Sequence, residues 1–490
     1  MTRRVDPWLF GIAFALVAVI AGTFALFSYL PMVDLPQHAA QLSAWIHLDD
    51  PNYGFAEQFE INWRTPYLLG YLLARPMVPL LGIVGALKFV VLLAALGTVA
   101  VYWFLLRTLK QDEWLCLLAL PLTFGFSFYF GFFNFLLATP LILTTVTLAY
   151  EYGKQPSRRN GVIFACALAI TFLAHALAFS ISMACSFFLI ARRTPSFKGT
   201  LRHYWPLLAG LAAVLPWVPG FLTSPDISAH PEQWNLSWGR LTALPATLFA
   251  IGPVDQTATY FGYGALALVA LSLGRPSKHW SRYCLFAIAS VAYMLFPFEL
   301  RGVSFLFPRF AALIIPGLIL LADGQRSLLP RWPRRGLAVL FSAVWVGVFA
   351  LRMRDFNEEA HGFREVVEKI PNRMRIRPLI FANMSGVFPG APLYLHFPAY
   401  YQAEKGGVLG YSFARYFICF IHDRPGVDMG MGEDMEWAPG RFDAQREVPQ
   451  YDYFIARSEH DIAARSFRNS PKQIVLEASG GGWWSYRAVD

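Results

Sequence analysis

Charged residues are scarce in this 490-residue chain, because Asp, Glu, Lys and Arg together make up only 15% of it. In a soluble domain, roughly a quarter of the residues are charged. Hydrophobic residues make up 56% of the chain, and the mean hydropathy is +0.42. This composition excludes an ordinary water-soluble domain and indicates an integral membrane protein.

Cysteines are also few, and the five present are Cys116, Cys166, Cys185, Cys284 and Cys419. Four of them lie in apolar segments, and none has a close neighbour in sequence. Neither a disulfide framework nor a zinc site is therefore predicted. The chain also lacks an internal repeat, which many transporters show.

The net charge of +9 does not predict a nucleic-acid partner. Most Lys and Arg residues lie between apolar segments, where the positive-inside rule places them on the cytoplasmic side. The sequence therefore predicts membrane orientation from its basic residues, and no nucleic-acid binding.

Apolar segments of about 20 residues are long enough to span a bilayer, and the chain contains about eleven candidates. The first is too long and uniform for a signal peptide, so we expect it to be retained as an anchor. The candidates lie near residues 8–29, 84–106, 113–130, 133–150, 161–174, 176–191, 204–222, 258–273, 282–298, 309–322 and 336–352.

His175 interrupts the apolar run 161–190, which can form either a tight hairpin or one long tilted helix. The hairpin alone keeps the basic loops on one side, so we favour it. This arrangement places the N-terminus in the cytoplasm and everything after Leu351 outside. Segments 66–81 and 241–251 are expected to lie along the outer interface.

The composition changes near residue 355, where charges become frequent and long apolar runs stop. Residues 355–490 predict an extracytoplasmic α/β domain, and residues 1–354 a transmembrane domain with a first external loop at 30–83. Within 355–490 we expect helices at 363–370 and 461–467, and strands at 379–382, 451–455 and 473–476.

A carboxylate and an imidazole lie four residues apart just after the first span, in Pro31-Met32-Val33-Asp34-Leu35-Pro36-Gln37-His38. On a helix this spacing puts both side chains on one face. Asp34 and His38 are therefore candidate catalytic residues, as a general base or as a pair that could bind a divalent cation. The alternative is a solvated loop in which Asp34 caps a helix. Asp49 and Asp50 are candidate metal ligands, although Asp-Asp-Pro-Asn is also ordinary turn chemistry.

Several cations fall on the predicted outer side, where orientation does not explain them: Arg64, Arg75, Lys88, Arg240, Arg301 and Arg309. Arg301 and Arg309 belong to one short outer loop that also contains Glu299. A guanidinium forks around two oxygens, so this pair predicts a phosphate-binding site. The alternative is that the two arginines extend to the membrane surface from apolar surroundings.

Four further polar residues are candidate substrate contacts. His175 is an ionisable residue at membrane depth, which is a functional hypothesis by default. Asn134 lies in an aromatic stretch and is either a contact or a helix cap. His396 and Tyr400 belong to an aromatic segment of the outer domain that suits either a sugar site or packing against the membrane.

This layout resembles the C-type glycosyltransferase superfamily, the GT-C fold, as in protein mannosyltransferases, aminoarabinose transferases and uncharacterised bacterial relatives. Members have an N-terminal span, a first external loop with an acidic catalytic motif near its start, many further spans and often an extracytoplasmic C-terminal domain. Asp34 corresponds in position to the acidic residue, although members often have two. Arg301 and Arg309 would hold the phosphate of a lipid-linked donor.

The resemblance implies a glycosyltransferase of the bacterial inner (plasma) membrane. It would move a sugar from a polyprenyl-phosphate donor to a hydroxyl of a lipid, glycan or protein acceptor, with inversion at the anomeric carbon. A divalent metal ion is a possible cofactor. Three alternatives remain open: a non-catalytic envelope scaffold that keeps this fold, a lipid or solute transporter, and a polymerase- or ligase-type transferase.

Overall fold

The computed structural model describes residues 6–191, 203–219, 232–300, 303–323, 327–416, 418–427 and 435–490. The candidate phosphate ligand Arg301 lies outside these residues, as do the last residues of the predicted span 204–222. The chain divides into two compact units. The first unit comprises Met1–Phe24, Arg64–Leu72 and Phe89–Ala350, and the second comprises Ala25–Trp63, Leu73–Lys88 and Leu351–Asp490.

Helices dominate the chain up to residue 360, as its apolar composition predicts. The helices of this part are α1 (Pro7–Leu26), α2 (Leu35–Ile46), α3 (Leu69–Ala74), α4 (Val78–Thr108), α5 (Ala119–Thr123), α6 (Phe126–Phe130), α7 (Phe133–Lys154), α8 (Arg158–Ala174), α9 (Ala176–Ala191), α10 (Trp205–Ala212), α11 (Gly239–Thr247), α12 (Gln256–Ser272), α13 (Cys284–Leu295), α14 (Ala311–Leu321) and α15 (Arg331–Ala360).

Short strands accompany these helices. A strand of the second unit, β1 (Phe59–Ile61), lies between α2 and α3 in the sequence. Two strands of the first unit, β2 (Glu299–Leu300) and β3 (Val303–Ser304), form an antiparallel pair between α13 and α14.

Within the described residues, five helical segments are long and apolar enough to cross a membrane: Pro7–Leu26, Leu69–Thr108, Glu113–Phe130, Phe133–Lys154 and Arg331–Lys369. Shorter apolar helices are Ala176–Ala191, Trp280–Leu295 and Phe307–Leu321. On α1, large apolar side chains such as Trp8, Phe10 and Phe14 are exposed, as lipid contact requires. The chain is thus a polytopic membrane protein, and the count of about eleven spans stays a prediction.

The segment at 66–81, which we expect to be a helix along the interface, is helical, and its position along the interface stays a prediction. Helix α3, a short 3₁₀ turn at Arg75–Met77 and helix α4 follow one another directly. The chain breaks helical geometry at Gly82, whose φ of 70° is in the left-handed region that favours glycine. The second such segment, 241–251, overlaps α11 at Gly239–Thr247.

Helices α8 and α9 form the predicted hairpin, with His175 between them. Trp205 packs against Gly161 near the start of α8, whereas the neighbouring Tyr204 donates a hydrogen bond to the backbone oxygen of Phe187 near the end of α9, at 3.2 Å. Because Tyr204 and Trp205 are adjacent in the chain, the start of α8 and the end of α9 lie together. The two helices are therefore antiparallel, and one long helix is excluded.

The second unit contains a five-stranded sheet in the order β5-β4-β7-β9-β8. β4 pairs in parallel with β5 and β7, and β9 is antiparallel to β7 and β8. These strands are β4 (Arg375–Ile380), β5 (Val408–Leu409), β7 (Tyr453–Arg457), β8 (Gln473–Gly480) and β9 (Trp483–Val489), while β6 (Ile421–Asp423) pairs with β1. The helices of this part are α16 (Gly362–Lys369), α17 (Ala399–Lys405), α18 (Ala444–Glu447) and α19 (Ala463–Ser466).

The α/β character expected for residues 355–490 is therefore present. Leu379, Val448, Phe454 and Tyr486 belong to its buried core. The second unit also includes Ala25–Trp63 and Leu73–Lys88, which the sequence reading places in the transmembrane domain. The segment Ala25–Trp63 belongs to the second unit because its helix α2 packs along α17, and Ser43 donates to the Ala403 backbone oxygen at 2.7 Å.

Candidate active site

Helix α2 places Asp34 at the residue that precedes its first turn. Every residue from Leu35 to Trp45 is buried, and Pro36 suits the first turn because the amide it lacks would have no helical partner there. Asp34 has helical backbone angles, and its side chain makes no capping hydrogen bond among the described residues. The carboxylate is thus left for another partner, which argues against the helix-cap reading.

That partner is the imidazole of His396. Its Nδ1 lies 3.1 Å from Oδ1 of Asp34, and both residues are buried, with 7% of Asp34 and 5% of His396 exposed. The residues are separated by 362 positions in sequence, and both belong to the second unit. Burial of a carboxylate is costly unless it is hydrogen-bonded, so this pair is a specific feature of the fold.

Aromatic rings hold the His396 imidazole in place. Tyr411 stacks on it with ring centroids 5.3 Å apart and an angle of 16°, and Phe413 meets it edge-on at 5.4 Å. Gln37 fixes the segment that carries both rings, because its Nε2 donates to the backbone oxygen of Tyr411 at 3.3 Å and its Oε1 accepts from the Phe413 amide at 3.1 Å. The imidazole therefore has one well-defined orientation.

The second nitrogen of this imidazole, Nε2, is buried and has no hydrogen-bond partner among the described residues. Because the Asp34 carboxylate can only accept a hydrogen bond, Nδ1 carries the hydrogen of the neutral ring. Nε2 then presents a lone pair. Burial of an acceptor without a partner costs free energy of folding. Such an acceptor is typical of a site that receives a ligand.

His38 is close to this pair, and its catalytic role stays a prediction. Its amide donates to the backbone oxygen of Asp34 at 3.1 Å, and its ring meets Phe413 edge-on at 6.1 Å. The imidazole that pairs with the Asp34 carboxylate at 3.1 Å is that of His396. The sequence reading assigned His396 to substrate binding and did not connect it with Asp34.

Tyr400 lies in an aromatic core of the second unit. It is 1% exposed, and its ring centroid is 5.2 Å from that of Tyr29 and 5.4 Å from that of Phe397. Burial raises the pKa of its hydroxyl well above the ordinary value. Its hydroxyl oxygen is buried and has no hydrogen-bond partner among the described residues, and its role as a substrate contact stays a prediction.

Asp49 and Asp50 occupy a turn. Oδ1 of Asp50 accepts from the Asn52 amide at 2.9 Å, and Oδ2 lies 3.8 Å from Nδ1 of His47. Asp49 is exposed. Across the described ranges, no group of three or more His, Cys, Asp and Glu side chains is placed to hold a metal ion. Their role as metal ligands stays a prediction.

In the first unit, Arg309 and His175, two residues that the sequence singles out separately, contact each other. Arg309 is 7% exposed and His175 is 4% exposed, and Nη1 of the arginine lies 3.4 Å from Nε2 of the histidine. The guanidinium also stacks 3.7 Å above the ring of Phe132 and donates to the backbone oxygens of Ser304 and Phe305.

The protons at this contact face each other. Nδ1 of His175 accepts from the Leu177 amide at 3.1 Å, so Nε2 carries the hydrogen of a neutral ring. Nη1 of Arg309 is always a donor. Two donors that converge at 3.4 Å suit an acceptor oxygen that can take both.

Asn134 lies in the first turn of α7, in the same unit. The cap of this helix is Phe132, so Asn134 does not cap it. The residue is 7% exposed, and its Oδ1 has no hydrogen-bond partner among the described residues. Close approach of Gly70 accounts for its tight packing, since a Cβ on that glycine would come within 3.0 Å of Oδ1.

Other cations singled out by the sequence have structural contacts. Arg240 donates to backbone oxygens of Tyr293, Met294 and Phe296 at the end of α13. Arg75 lies 4.3 Å above the ring of Trp45. These contacts explain the two arginines without a ligand.

Comparison with known proteins places this geometry on a known fold. No protein-family model matches the chain, and no curated protein matches it. The structure of ArnT from Cupriavidus metallidurans in the apo state is similar, with a TM-score of 0.60 at 11% identity over 99% of this chain and 98% of that one. ArnT is an aminoarabinose transferase of the GT-C type. The chain has the GT-C fold.

A second structure, ArnT from Cupriavidus metallidurans bound to undecaprenyl phosphate, has a TM-score of 0.59 at 11% identity and covers 99% of both chains. The resemblance read from the sequence is thereby confirmed at the level of the GT-C fold. At this identity the likeness establishes the fold alone, so the activity has to be argued from the residues.

Proposed function

We propose that this protein is a membrane glycosyltransferase that moves a sugar from a polyprenyl-phosphate donor to an extracytoplasmic acceptor hydroxyl. The observation that carries the proposal is the buried pair of Asp34 and His396, with 3.1 Å between Oδ1 and Nδ1, in a chain with the GT-C fold. A carboxylate–imidazole pair is equipped to take a proton from an attacking hydroxyl.

The donor class is supported by the second structural neighbour, ArnT bound to undecaprenyl phosphate. A lipid-linked donor also suits a polytopic membrane protein, because its tail remains in the bilayer while its headgroup reacts. The acceptor is an alcohol of a lipid, glycan or protein.

The reaction is a displacement at the anomeric carbon of the donor. The acceptor oxygen forms a bond to this carbon while the bond from carbon to the phosphate oxygen breaks, and the lipid phosphate leaves with its electron pair. The acceptor proton passes to the Asp34–His396 pair. A single displacement of this kind inverts the anomeric centre.

Separately, for the first unit by itself, His175 and Arg309 are proposed as ligands of a lipid phosphate. Their converging donors at 3.4 Å and the buried guanidinium are suited to a phosphate oxygen. Asn134 of the same unit, whose Oδ1 has no hydrogen-bond partner in the described part of the chain, is proposed as a further substrate contact. Arg301 is proposed for the same phosphate on sequence grounds alone.

The proposed location is the bacterial inner membrane, with the N-terminus in the cytoplasm and residues 355–490 outside. The alternation of basic loops in the sequence supports this orientation. We test this orientation with a tag at either terminus of the protein in intact spheroplasts. We expect a membrane-impermeant thiol reagent or protease to reach the C-terminal tag but not the N-terminal one.

The activity is tested with purified protein in detergent, a panel of radiolabelled polyprenyl-phosphate sugars and membrane extract as acceptor. Transfer of label to a new product is expected with at least one donor. Binding of polyprenyl phosphate without transfer from any donor would favour the scaffold, and movement of intact labelled lipid across proteoliposomes would favour a transporter.

A further inference from the structure

We infer that Nε2 of His396 is the atom that accepts the proton of the attacking hydroxyl, and that Asp34 is its positioning residue. This inference rests on the proposed function and deepens it. It reverses the assignment from sequence, where Asp34 is the base and His396 only a substrate contact.

The hydrogen-bond pattern assigns the two nitrogens different roles. Nδ1 is engaged by Oδ1 of Asp34 at 3.1 Å, whereas Nε2 has no hydrogen-bond partner among the described residues. A carboxylate on Nδ1 fixes the tautomer whose Nε2 is unprotonated, and it stabilises the imidazolium that forms when Nε2 takes a proton. The pair therefore has the arrangement of a base and its orienting group.

The surroundings of the ring favour this orientation over any other. Tyr411 covers one face of the imidazole, Phe413 meets it edge-on, and Gln37 ties down the segment that carries both rings. Rotation of the ring would break the contact between Nδ1 and Asp34. A buried imidazole held in this way has one nitrogen free to react.

Asp34 is less suited to be the base itself. Its Oδ1 already accepts the hydrogen of His396, so a further proton could go only to Oδ2 or to the remaining lone pair of Oδ1. Nε2 of His396, in contrast, has no hydrogen-bond partner among the described residues. The imidazole of His396 also supplies a second proton-binding group at this first-loop site. This explains a single carboxylate where members of the GT-C superfamily often have two.

The proton balance follows directly. The acceptor hydroxyl gives its proton to Nε2 as its oxygen bonds to the anomeric carbon and the lipid phosphate leaves. The imidazolium so formed keeps its Nδ1 hydrogen on the Asp34 carboxylate. After product release Nε2 returns its proton to water or to the departing phosphate.

The decisive substitution is His396→Asn. An asparagine amide can occupy the position of Nδ1 and still donate to Asp34, but it has no atom that replaces Nε2 as a base. We expect kcat to fall by about 10²–10⁴-fold, the usual worth of general-base help, while KM for the donor stays within about threefold. Thermal unfolding in detergent checks that the fold is retained.

Chemical rescue gives a second readout. His396→Gly leaves a slot between Tyr411 and Phe413, and added imidazole is expected to restore transfer by at least about tenfold, because it supplies the missing base. If His396 had only a structural role, added imidazole would not restore transfer by the His396→Gly variant.

His361→Asn is the matched control, because His361 lies 3.3 Å from Glu365 in a second histidine–carboxylate pair that is exposed. It is expected to transfer as wild type does. Asp34→Asn combined with His396→Asn should be no slower than His396→Asn alone, since residues that act as a unit are not additive.

Two results would overturn the inference while the proposed function stands. One is a His396→Asn variant that retains kcat within about threefold of wild type while Asp34→Asn is inactive, which would make Asp34 the base. The other is failure of imidazole to restore a correctly folded His396→Gly variant. Absence of transfer in wild type with every donor would instead reject the proposed function, and this inference with it.

Discussion

Asp34 occupies the position where a short acidic side chain ordinarily caps a helix, but its carboxylate is bound to His396 of a distant segment. The local sequence singles out Asp34 and pairs it with His38, whereas the structure places His396 against its carboxylate. The spacing to His38 is visible in the chain, whereas the contact with His396 depends on packing of α2 along α17. Pairings across 362 positions cannot be read from periodicity.

Asp423 gives a pH-dependent prediction that concerns a single residue. It lies on β6, outside the membrane-spanning segments, and its Oδ1 is buried without a partner among the described residues. Burial raises the pKa of this carboxyl from 3.8 to about 6, against an opposing effect of Arg415. The folded protein therefore holds this proton more tightly than the unfolded chain does.

The sign follows from this difference. The stabilisation is complete below the unfolded pKa and is lost as the pH rises through about 6, so at pH 7.5 the charged Asp423 lowers the free energy of unfolding. Asp423→Asn should raise this free energy at pH 7.5, by at most about 3 kcal/mol at about 1.4 kcal/mol per unit of pKa, and by much less at pH 4.5. Thermal unfolding in detergent at both pH values measures it.

Asp355→Asn is the matched control for this prediction, since Asp355 is exposed on α15. An Asp423→Asn variant that is equally destabilised or unchanged at both pH values would contradict the account of a buried, unpaired carboxyl.

His175 gives a prediction about lipid-phosphate binding. His175→Phe keeps the ring that packs edge-on against Tyr67 and Phe135 but removes both nitrogens. Loss of one donor should weaken binding of polyprenyl phosphate by about tenfold, or about 1.4 kcal/mol. Binding is measured by titration of the detergent-solubilised protein.

Arg240→Met serves as the comparison, because Arg240 is a buried cation of the same unit that donates hydrogen bonds to backbone oxygens. It is expected to lower thermal stability without changing affinity. Unchanged affinity in the folded His175→Phe variant would show that the phosphate binds elsewhere.

At the scale of elements, charge alternation predicted the α8–α9 hairpin where apolarity alone allowed two readings. A break of one residue at His175 is too small a signal to distinguish a kink from a reversal. The positive-inside rule supplied the missing information because it connects distant loops. At 66–81, where proline and arginine predicted an interfacial helix, the sequence did not show that a 3₁₀ turn at Arg75–Met77 joins two helices.

The end of α13 gives the prediction for this scale. Arg240 donates to three carbonyls there, and its guanidinium lies 3.7 Å above the ring of Phe307. Helix ends leave carbonyl groups without helical partners. Arg240→Met should therefore lower the free energy of unfolding by about 2–4 kcal/mol, measured as a loss of thermal stability in detergent.

Arg354→Met is the control, since Arg354 forms an exposed ion pair with Asp355 on α15. Surface pairs contribute little, so no measurable change is expected. A loss of stability equal to that of Arg240→Met would contradict the capping role.

For the whole molecule, the GT-C fold and the α/β character of residues 355–490 could be predicted from the sequence, because both follow from the order of apolar and charged segments. The grouping of Ala25–Trp63 with Leu351–Asp490 could not, since it arises from tertiary packing of short buried elements such as α2. The short strand β5 was also missed. It carries only Val408–Leu409, too few residues for an alternating pattern.

The central claim is that the buried acid–imidazole pair performs sugar transfer. The direct test is single-turnover transfer from a radiolabelled polyprenyl-phosphate sugar by wild type, Asp34→Asn and the exposed control Asp355→Asn. We predict transfer by wild type and by the control, and a rate lower by about 10²–10⁴-fold for a correctly folded Asp34→Asn. Transfer by Asp34→Asn at the wild-type rate would contradict the account.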